Sequence, residues 1–203
     1  MSENLAADFF RIVTGRRGHF RLESGHHSQL WIDLDALFAD PNAVDPLVEA
    51  LSDALRRYAI DAVCGPLLGG AFLAQLVARR LNVEFAFTER GEAPPGNELY
   101  QVQYRLPAAF ATRLRDKRIA IVDDVMSAGS ALRGTYTALC AHGAVPVVAG
   151  ALLVLGSSGL DFFASRGVPV EAVGREPYSL WTPGDCPLCR DGIALEDVVA
   201  PAV

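Results

Sequence analysis

The sequence predicts an α/β protein with a parallel sheet flanked by helices. Apolar segments of strand length alternate with amphipathic segments of helix length along most of the chain, which is the order of a parallel sheet with helical crossovers. Two strand segments, 118–124 and 146–156, are largely apolar, as in strands covered on both faces. The 203 residues are 51% hydrophobic, enough to fill the core of one domain. Ligands of such sheets bind beyond the carboxyl ends of the strands.

Each helix and strand has a local signal. Apolar residues at helical spacing predict helices over 4–13, 71–81 and 131–143. Asp45 before Pro46 predicts the start of another helix, which continues to Tyr58. Short apolar or alternating segments predict strands over 59–66, 83–87, 99–106, 118–124, 146–156 and 169–173. The sequence RGEAPPGN, from 90 to 97, contains two prolines and two glycines and predicts a loop.

Charge and residue usage exclude several classes of protein. A net charge of −6 argues against a broad nucleic-acid-binding surface and leaves room for a local basic pocket. Lys117 is the only lysine among 18 basic residues, and no glycine precedes it, which excludes the phosphate-loop pattern GxxxxGK[ST]. Acidic residues near the N-terminus and apolar runs shorter than a membrane span predict a cytoplasmic protein. Four cysteines are too few for a disulfide framework in a chain of this length.

The strongest chemical signal is the sequence IAIVDDVMSAGSALRGT at 119–135. A buried strand delivers Asp123 and Asp124 to the carboxyl edge of the sheet, where carboxylates need hydroxyl, cation or amide partners. A turn of small residues, 127–130, then enters a helix, whose first N–H groups and dipole favour a phosphate. Carboxylates for sugar hydroxyls beside amides for a phosphate would suit a ribose 5-phosphate. The alternative interpretation is a structural acidic turn.

This segment resembles the signature of type I phosphoribosyltransferases that binds 5-phosphoribosyl diphosphate (PRPP). The resemblance implies that Asp123 and Asp124 hold the ribose hydroxyls and water bound to Mg²⁺. It also implies that the backbone N–H groups of Ser127, Ala128, Gly129 and Ser130 bind the 5-phosphate and that Val125 belongs to the PRPP site. A response-regulator receiver also carries paired acids, but it needs a lysine after them, and Lys117 precedes the pair.

Two further segments resemble the orotate branch of this family, and the likeness covers about residues 8–156. The first, 18–37, is similar to the base-site segment and implies a base near Ser24, Gly25, His27, Ser28 and Trp31, although the histidines could instead be exposed turn residues. The second, 61–81, is similar to the pyrophosphate loop and its helix. It implies backbone contacts from Leu67, Leu68, Gly69 and Gly70, although a plain helix-entry turn would look the same.

The resemblance implies an enzyme that transfers a 5-phosphoribosyl group from PRPP to a nitrogenous base, with orotate as the first candidate. It also implies Mg²⁺ as the cofactor and a homodimer as the assembly. The domain would span 1–175, with a small hood built from the N-terminal and C-terminal parts, and 176–203 would be a C-terminal extension. The expected partners are therefore PRPP and a nucleobase, and neither a nucleic acid nor a membrane is expected.

Two departures from the orotate branch bear on this function. Orotate enzymes carry lysines and a histidine in the loop that here reads RGEAPPGN. In this loop Arg90 is the only cationic residue. Tyr104 and Arg105 flank the loop on its other side. The branch also has an Asp-Arg pair where this chain has Gly156-Ser157-Ser158, and the arginine helps to hold the substrate carboxylate. Two alternatives therefore stay open: a PRPP- or nucleotide-binding regulator without catalysis, and a salvage enzyme for a neutral base.

The C-terminal extension contains Cys186 and Cys189 in the sequence CPLCRDG. The pair resembles half of a zinc-ribbon knuckle and supplies two of the four ligands of a tetrahedral ion. The other two would come from a second subunit, a distant His or Asp, or a ligand that the spacing does not reveal. A turn with free thiols and a redox pair are the alternatives.

Overall fold

The computed structural model describes residues 2–91 and 103–198. In chain order its elements are α1 (Ser2–Ile12), β1 (Thr14–Arg21), β2 (His27–Asp33), α2 (Pro41–Leu55), β3 (Ala62–Pro66), α3 (Gly69–Leu81), β4 (Glu84–Arg90), β5 (Tyr104–Arg105), α4 (Ala108–Ala111), β6 (Arg118–Met126), α5 (Ser130–Ala141), β7 (Val145–Leu155), α6 (Ser158–Ala164), β8 (Val170–Glu176), α7 (Pro187–Arg190) and β9 (Glu196–Asp197). The predicted loop 90–97 and strand 99–106 lie largely outside the described residues.

The main sheet has six strands in the order β5-β4-β3-β6-β7-β8. All neighbouring strands are parallel except β5, which pairs antiparallel with β4. The parallel strands therefore end at one common edge, and β6 lies between β3 and β7 at the centre of that edge. The predicted α/β class with a parallel sheet and flanking helices is confirmed.

Helices cover the sheet on both faces because the strand residues alternate between two cores. In β6, Ala120 and Val122 pack into the core that contains α1, α2 and α3, and Ile119 and Ile121 pack into the core that contains α5 and α6. All four side chains are completely buried. Both faces of the strand are buried, which is why β6 is apolar at every position from Ile119 to Val122.

The start of α2 differs from the sequence prediction. The helix begins one turn earlier, at Pro41, and Asp40 rather than Asp45 is the N-cap, with its carboxylate accepting from the N–H of Asn42 at 2.9 Å. Both sites are Asp-Pro pairs, so the local signal is the same. Val44 and Leu47 are buried on one face of α2, and the earlier start places Val44 within the helix.

A separate three-stranded sheet in the order β2-β1-β9 forms a hood. β1 and β2 are an antiparallel hairpin, and β9 pairs with β1 in parallel, so the N-terminal and C-terminal parts build the hood together, as predicted. The sequence does not predict β1 as a strand because β1 lacks the alternation of buried and exposed residues that marks one. Only His19 and Phe20 of this strand are buried.

The described part of the chain contains no helix that is long and apolar enough to cross a membrane.

Candidate active site

A cleft of about 460 Å³ opens at the carboxyl edge of the main sheet, beneath the hood. The ends of β3, β4, β6 and β7 each contribute residues to it, together with the β1–β2 turn and the segment that follows β8. Its lining comprises Leu22, Glu23, Ser24, Trp31, Ile32, Leu34, Pro66, Leu67, Leu68, Gly69, Gly70, Arg90, Tyr104, Asp123, Asp124, Val125, Ser127, Gly129, Ser130, Ala131, Leu155, Tyr178 and Val198. The cleft is where a parallel sheet places its ligands.

A buried pair of carboxylates forms the floor of the cleft. Asp123 and Asp124 are each only 8% exposed, and no described residue forms a salt bridge with either. Backbone N–H groups offset part of the cost of burying these carboxylates. Asp124 N–H donates to Asp123 Oδ1 at 3.0 Å, and Val125 N–H donates to Asp124 Oδ1 at 2.7 Å. Burial raises the pKa of both carboxyl groups, and the charge of Asp124 raises the pKa of Asp123 further. The pair is therefore suited to a ligand that brings hydroxyl donors or a cation.

A glycine loop lies directly against this pair. A Cβ atom added at Gly69 would lie 1.9 Å from Asp124 Oδ2, and one added at Gly70 would lie 2.7 Å from Asp123 Oδ1. Only glycine allows this approach. Gly69 is the first residue of α3 and lines the cleft with Gly70, and no described side chain caps that helix. The peptide bond between Leu67 and Leu68 is cis.

The small-residue turn after β6 lies on the other side of the pair. Gly129 has φ of +76°, a conformation that favours glycine, and α5 begins at the next residue without a described side-chain cap. Ser130 Oγ is buried and has no hydrogen-bond partner among the described residues. A buried hydroxyl without a partner is costly, and it lines the cleft beside a helix N-terminus. The turn is therefore built for a polar ligand, and an anion fits it best.

The mouth of the cleft carries one cation and one further acid. Arg90 Nη1 lies 3.3 Å from Glu23 Oε1, and the Tyr104 hydroxyl donates to the same oxygen at 3.4 Å. Burial raises the pKa of Tyr104, so this hydroxyl keeps its proton. Among the described residues that line the cleft, Arg90 is the only one with a cationic side chain.

The hood covers the cleft with a more apolar wall. Trp31 and Ile32 come from β2, and Tyr178 comes from the chain that follows β8. The Tyr178 hydroxyl donates to the backbone oxygen of Leu30 at 2.7 Å and so holds this segment against β2. A planar ligand can pack between such aromatic side chains.

Most of the predicted site residues line one cleft, and some do not. The residues that line it are Ser24, Trp31, Leu67, Leu68, Gly69, Gly70, Arg90, Tyr104, Asp123, Asp124, Val125, Ser127, Gly129 and Ser130. The side chain of Ala128 is buried beneath the turn, and Arg105 pairs with Glu89 at the surface.

His27 and Ser28, predicted to lie near the base, are not among the residues that line the cleft. The ring of His27 lies 3.1 Å from His19 Nε2 and 3.3 Å from Cys189 Sγ, away from the cleft. Ser28 is completely buried and accepts from the N–H of Leu30. Gly25 does not line the cleft either. The C-terminal segment pairs with this end of β2 through backbone hydrogen bonds between His27 and Trp181, and Cys189 from the same segment contacts the His27 ring.

Sequence reasoning missed Glu23 and Tyr178 as lining residues. Glu23 directly precedes Ser24 and Gly25, which the sequence already places near the base, so its position beside them could have indicated a lining residue. Tyr178 stands in the extension, 54 residues beyond Asp124 by their numbers, and nothing local shows that this segment returns to the cleft.

Comparison with known proteins supports the same family. The model of the phosphoribosyl transferase domain matches residues 33–161. An orotate phosphoribosyltransferase of Thermotoga petrophila is 33% identical over 179 residues, which cover 88% of each chain.

Two solved structures have the same fold. One is orotate phosphoribosyltransferase from Aeropyrum pernix, with a TM-score of 0.62 and 24% identity over 84% of this chain and 93% of that one. The other is adenine phosphoribosyltransferase from Rhodothermus marinus, with a TM-score of 0.67 and 17% identity over 86% of this chain and 99% of that one. The acid pair, glycine loop and small-residue turn all lie within the matched segment. The chain therefore belongs to the type I phosphoribosyltransferase family.

Proposed function

We propose that this chain transfers the 5-phosphoribosyl group of PRPP to a nitrogenous base and releases pyrophosphate, with orotate as the first candidate base. The observation that carries the proposal is the position of the acid pair between two helix N-termini that no described side chain caps. PRPP has a ribose with a phosphate at one end and a pyrophosphate at the other, so its site needs two anion-binding groups with a hydroxyl-binding group between them.

Each part of the cleft has a role in the proposal. The turn of Ser127–Ser130 binds the 5-phosphate through its N–H groups and Ser130 Oγ. Asp123 and Asp124 accept hydrogen bonds from the two ribose hydroxyls. The 67–70 loop binds the pyrophosphate, and Arg90 at the mouth contributes its guanidinium, which binds phosphate oxygens through two N–H groups but cannot donate a proton at neutral pH.

The same carboxylates fit Mg²⁺. Two buried carboxylates without a salt bridge from any described residue are oxygen donors of the kind that Mg²⁺ prefers, with water completing its shell. Bound Mg²⁺ would neutralise charge on the departing pyrophosphate. The residues themselves hold the sugar in place and exclude water, so that the base attacks the carbon from which pyrophosphate leaves.

The choice of base is a separate question with two candidates. The 33% identical relative is named an orotate phosphoribosyltransferase, which supports orotate. A neutral base is the second candidate, because Arg90 is the only cationic lining residue in the described chain and already faces Glu23. Loss of one cationic partner costs a bound carboxylate about 1.5–3 kcal/mol.

Pyrophosphate release with PRPP, Mg²⁺ and a panel of bases tests this function. We expect turnover with orotate and none without a base. Turnover with a neutral base alone would support the salvage alternative. Binding of PRPP without turnover on any base would contradict the proposed enzyme and leave the regulator.

Replacement of Ser130 by alanine separates binding from stability. We expect KM for PRPP to rise about 5- to 10-fold, because the variant loses one hydrogen bond to the phosphate, which contributes about 1–1.4 kcal/mol. The free energy of unfolding should not fall, because the variant removes a buried hydroxyl that has no partner among the described residues. Steady-state kinetics and urea unfolding measure the two effects, with Ser165→Ala, at an exposed serine, as the control. An unchanged KM would remove Ser130 from the phosphate site.

A homodimer, a cytoplasmic location and zinc at Cys186 and Cys189 complete the proposal. The dimer and the location rest on the family, and light scattering of the purified chain tests the dimer. Neither cysteine lines the cleft, so no step of the transfer uses the zinc ion.

A further inference from the structure

Four potential metal ligands converge outside the cleft. His19, His27, Cys186 and Cys189 each offer one ligand atom, and these four atoms lie within 4.8 Å of one another. His19 and His27 are 3% and 4% exposed and Cys186 is completely buried, whereas Cys189 closes the cluster at the surface. The spacing of the cysteines had indicated half of a zinc knuckle, and the hairpin of β1 and β2 supplies the other half.

The tautomer of His19 is fixed by its second contact. His19 Nδ1 lies 2.8 Å from the backbone oxygen of Ile193, and a carbonyl oxygen can only accept, so Nδ1 carries the hydrogen. Nε2 therefore presents its lone pair to the centre of the cluster. Metal-bound histidines commonly donate their other N–H to a carbonyl in this way.

The distances between these atoms are close to those expected around a tetrahedral ion. His19 Nε2 lies 3.1 Å from His27 Nδ1, 3.3 Å from Cys186 Sγ and 3.7 Å from Cys189 Sγ. His27 Nδ1 lies 3.3 Å from Cys189 Sγ. Around zinc, with about 2.0–2.1 Å to nitrogen and about 2.3 Å to sulfur, two nitrogens are about 3.3 Å apart and a nitrogen and a sulfur about 3.6 Å apart.

A hydrogen-bond network would satisfy this cluster poorly. One lone pair on Nε2 accepts one hydrogen, yet three groups lie within 3.7 Å of it. Two thiolates and two neutral imidazoles around a divalent ion have no net charge, which makes burial of the site inexpensive. A set of two cysteines and two histidines in this arrangement selects zinc among common divalent ions.

We infer that His19, His27, Cys186 and Cys189 form a structural zinc site that clamps the C-terminal segment to the hairpin of the hood. The inference extends the proposed zinc at the cysteine pair to a complete ligand set with a stated role. His19 and His27 stand on either side of the turn 22–26, whose Glu23 and Ser24 line the cleft. The ion thereby links the two ends of the chain and fixes the wall of the cleft.

The contacts around the cluster agree with a clamp. The backbones of His27 and Trp181 exchange hydrogen bonds of 2.8 and 3.0 Å, and β9 adds only two residues to β1. The ion pairs Arg16–Glu196 and Arg21–Asp197 also join β9 to β1, but exposed ion pairs contribute little free energy. Four bonds to one ion would strengthen this attachment, as they do in small domains that fold around zinc.

Metal analysis of the purified full-length chain tests the ligand set. We expect about one zinc ion per chain, retained after dialysis, and only a trace in Cys189→Ser and in His19→Ala. Cys140→Ser is the matched control, because Cys140 is an exposed cysteine outside the cluster and should leave the zinc content unchanged. Absence of zinc from the wild-type chain after incubation with zinc, or full zinc content in Cys189→Ser, overturns the inference.

Cobalt substitution keeps the test independent of whether a variant folds. Co²⁺ in the wild-type chain should give the intense visible bands of a tetrahedral site together with a thiolate-to-cobalt charge-transfer band. The weak spectrum of an octahedral site without the charge-transfer band would contradict the assignment.

Hydrogen exchange of the full chain tests the clamp itself. Removal of zinc by a chelator should speed amide exchange in 14–33 and 181–197 and leave β6 unchanged, because only the hood depends on the ion. Unchanged exchange in the hood would overturn the clamp. None of these readouts uses the transfer reaction, so the zinc site and the proposed function can fail separately.

Discussion

Asp124→Asn is expected to lower kcat/KM for pyrophosphate release by about 100-fold or more. A carboxylate that accepts a hydroxyl contributes about 1.5–3 kcal/mol, or about 10- to 150-fold, and loss of the charge beside Mg²⁺ adds to this. Asparagine has nearly the same shape, so the glycine loop against Asp124 need not move. The loss should therefore appear in PRPP binding and turnover without a change in the fold.

Stability should move in the opposite direction. Asp124 is 8% exposed and forms no salt bridge with any residue in the described ranges, so its buried charge destabilises the free protein. Asparagine removes that charge while its side-chain oxygen can still accept from the N–H of Val125. Urea unfolding should show an unchanged or larger free energy of unfolding alongside the lost activity.

The control for this variant is an aspartate far from the cleft. The side chain of Asp53 is 65% exposed and pairs with Arg56 on the surface of α2, an interaction that contributes little free energy. Asp53→Asn should keep full activity. Activity within a few-fold of wild type in Asp124→Asn would show that the acid pair does not hold the sugar.

The central part of the site could be predicted from the sequence because its signals are local. Asp123 and Asp124 lie near the end of the apolar strand β6, and the turn to Ser130 begins where that strand ends. A strand end and a helix start that are adjacent in sequence must be adjacent in space. The glycine loop was predicted in the same way, from its position between β3 and α3.

The hood could not be predicted in detail because its contacts join distant parts of the chain. His27 stands beside a Ser-Gly pair that indicates a base site, yet its partners are Trp181 and Cys189. No local pattern shows which segment will cover a half-exposed hairpin. The cysteine pair indicated a metal site but not its histidines, for the same reason.

Gly69→Ala is expected to abolish most of the activity and preserve the fold. The new Cβ would lie 1.9 Å from Asp124 Oδ2, where contacts below 3.0 Å essentially never occur, so the carboxylate must move by about 1 Å. A displacement of that size in a reacting group can cost about 100-fold in rate. The atom that moves is the end of a side chain, and no backbone atom lies within 3.0 Å of the new Cβ, so the melting temperature should stay close to that of the wild type.

Two other glycines make this prediction specific. At Gly184 a Cβ meets nothing within 4 Å, so Gly184→Ala should keep both activity and stability. At Gly65 a Cβ would lie 2.0 Å from the backbone oxygen of Gly70, and backbone cannot move aside, so Gly65→Ala should destabilise the protein as well as inactivate it. Initial rates and thermal melts of the three variants separate a displaced carboxylate from a damaged core. Normal activity in Gly69→Ala would mean that the loop does not press on Asp124, and the order of anion, hydroxyl and anion sites along the cleft would lose its geometric basis.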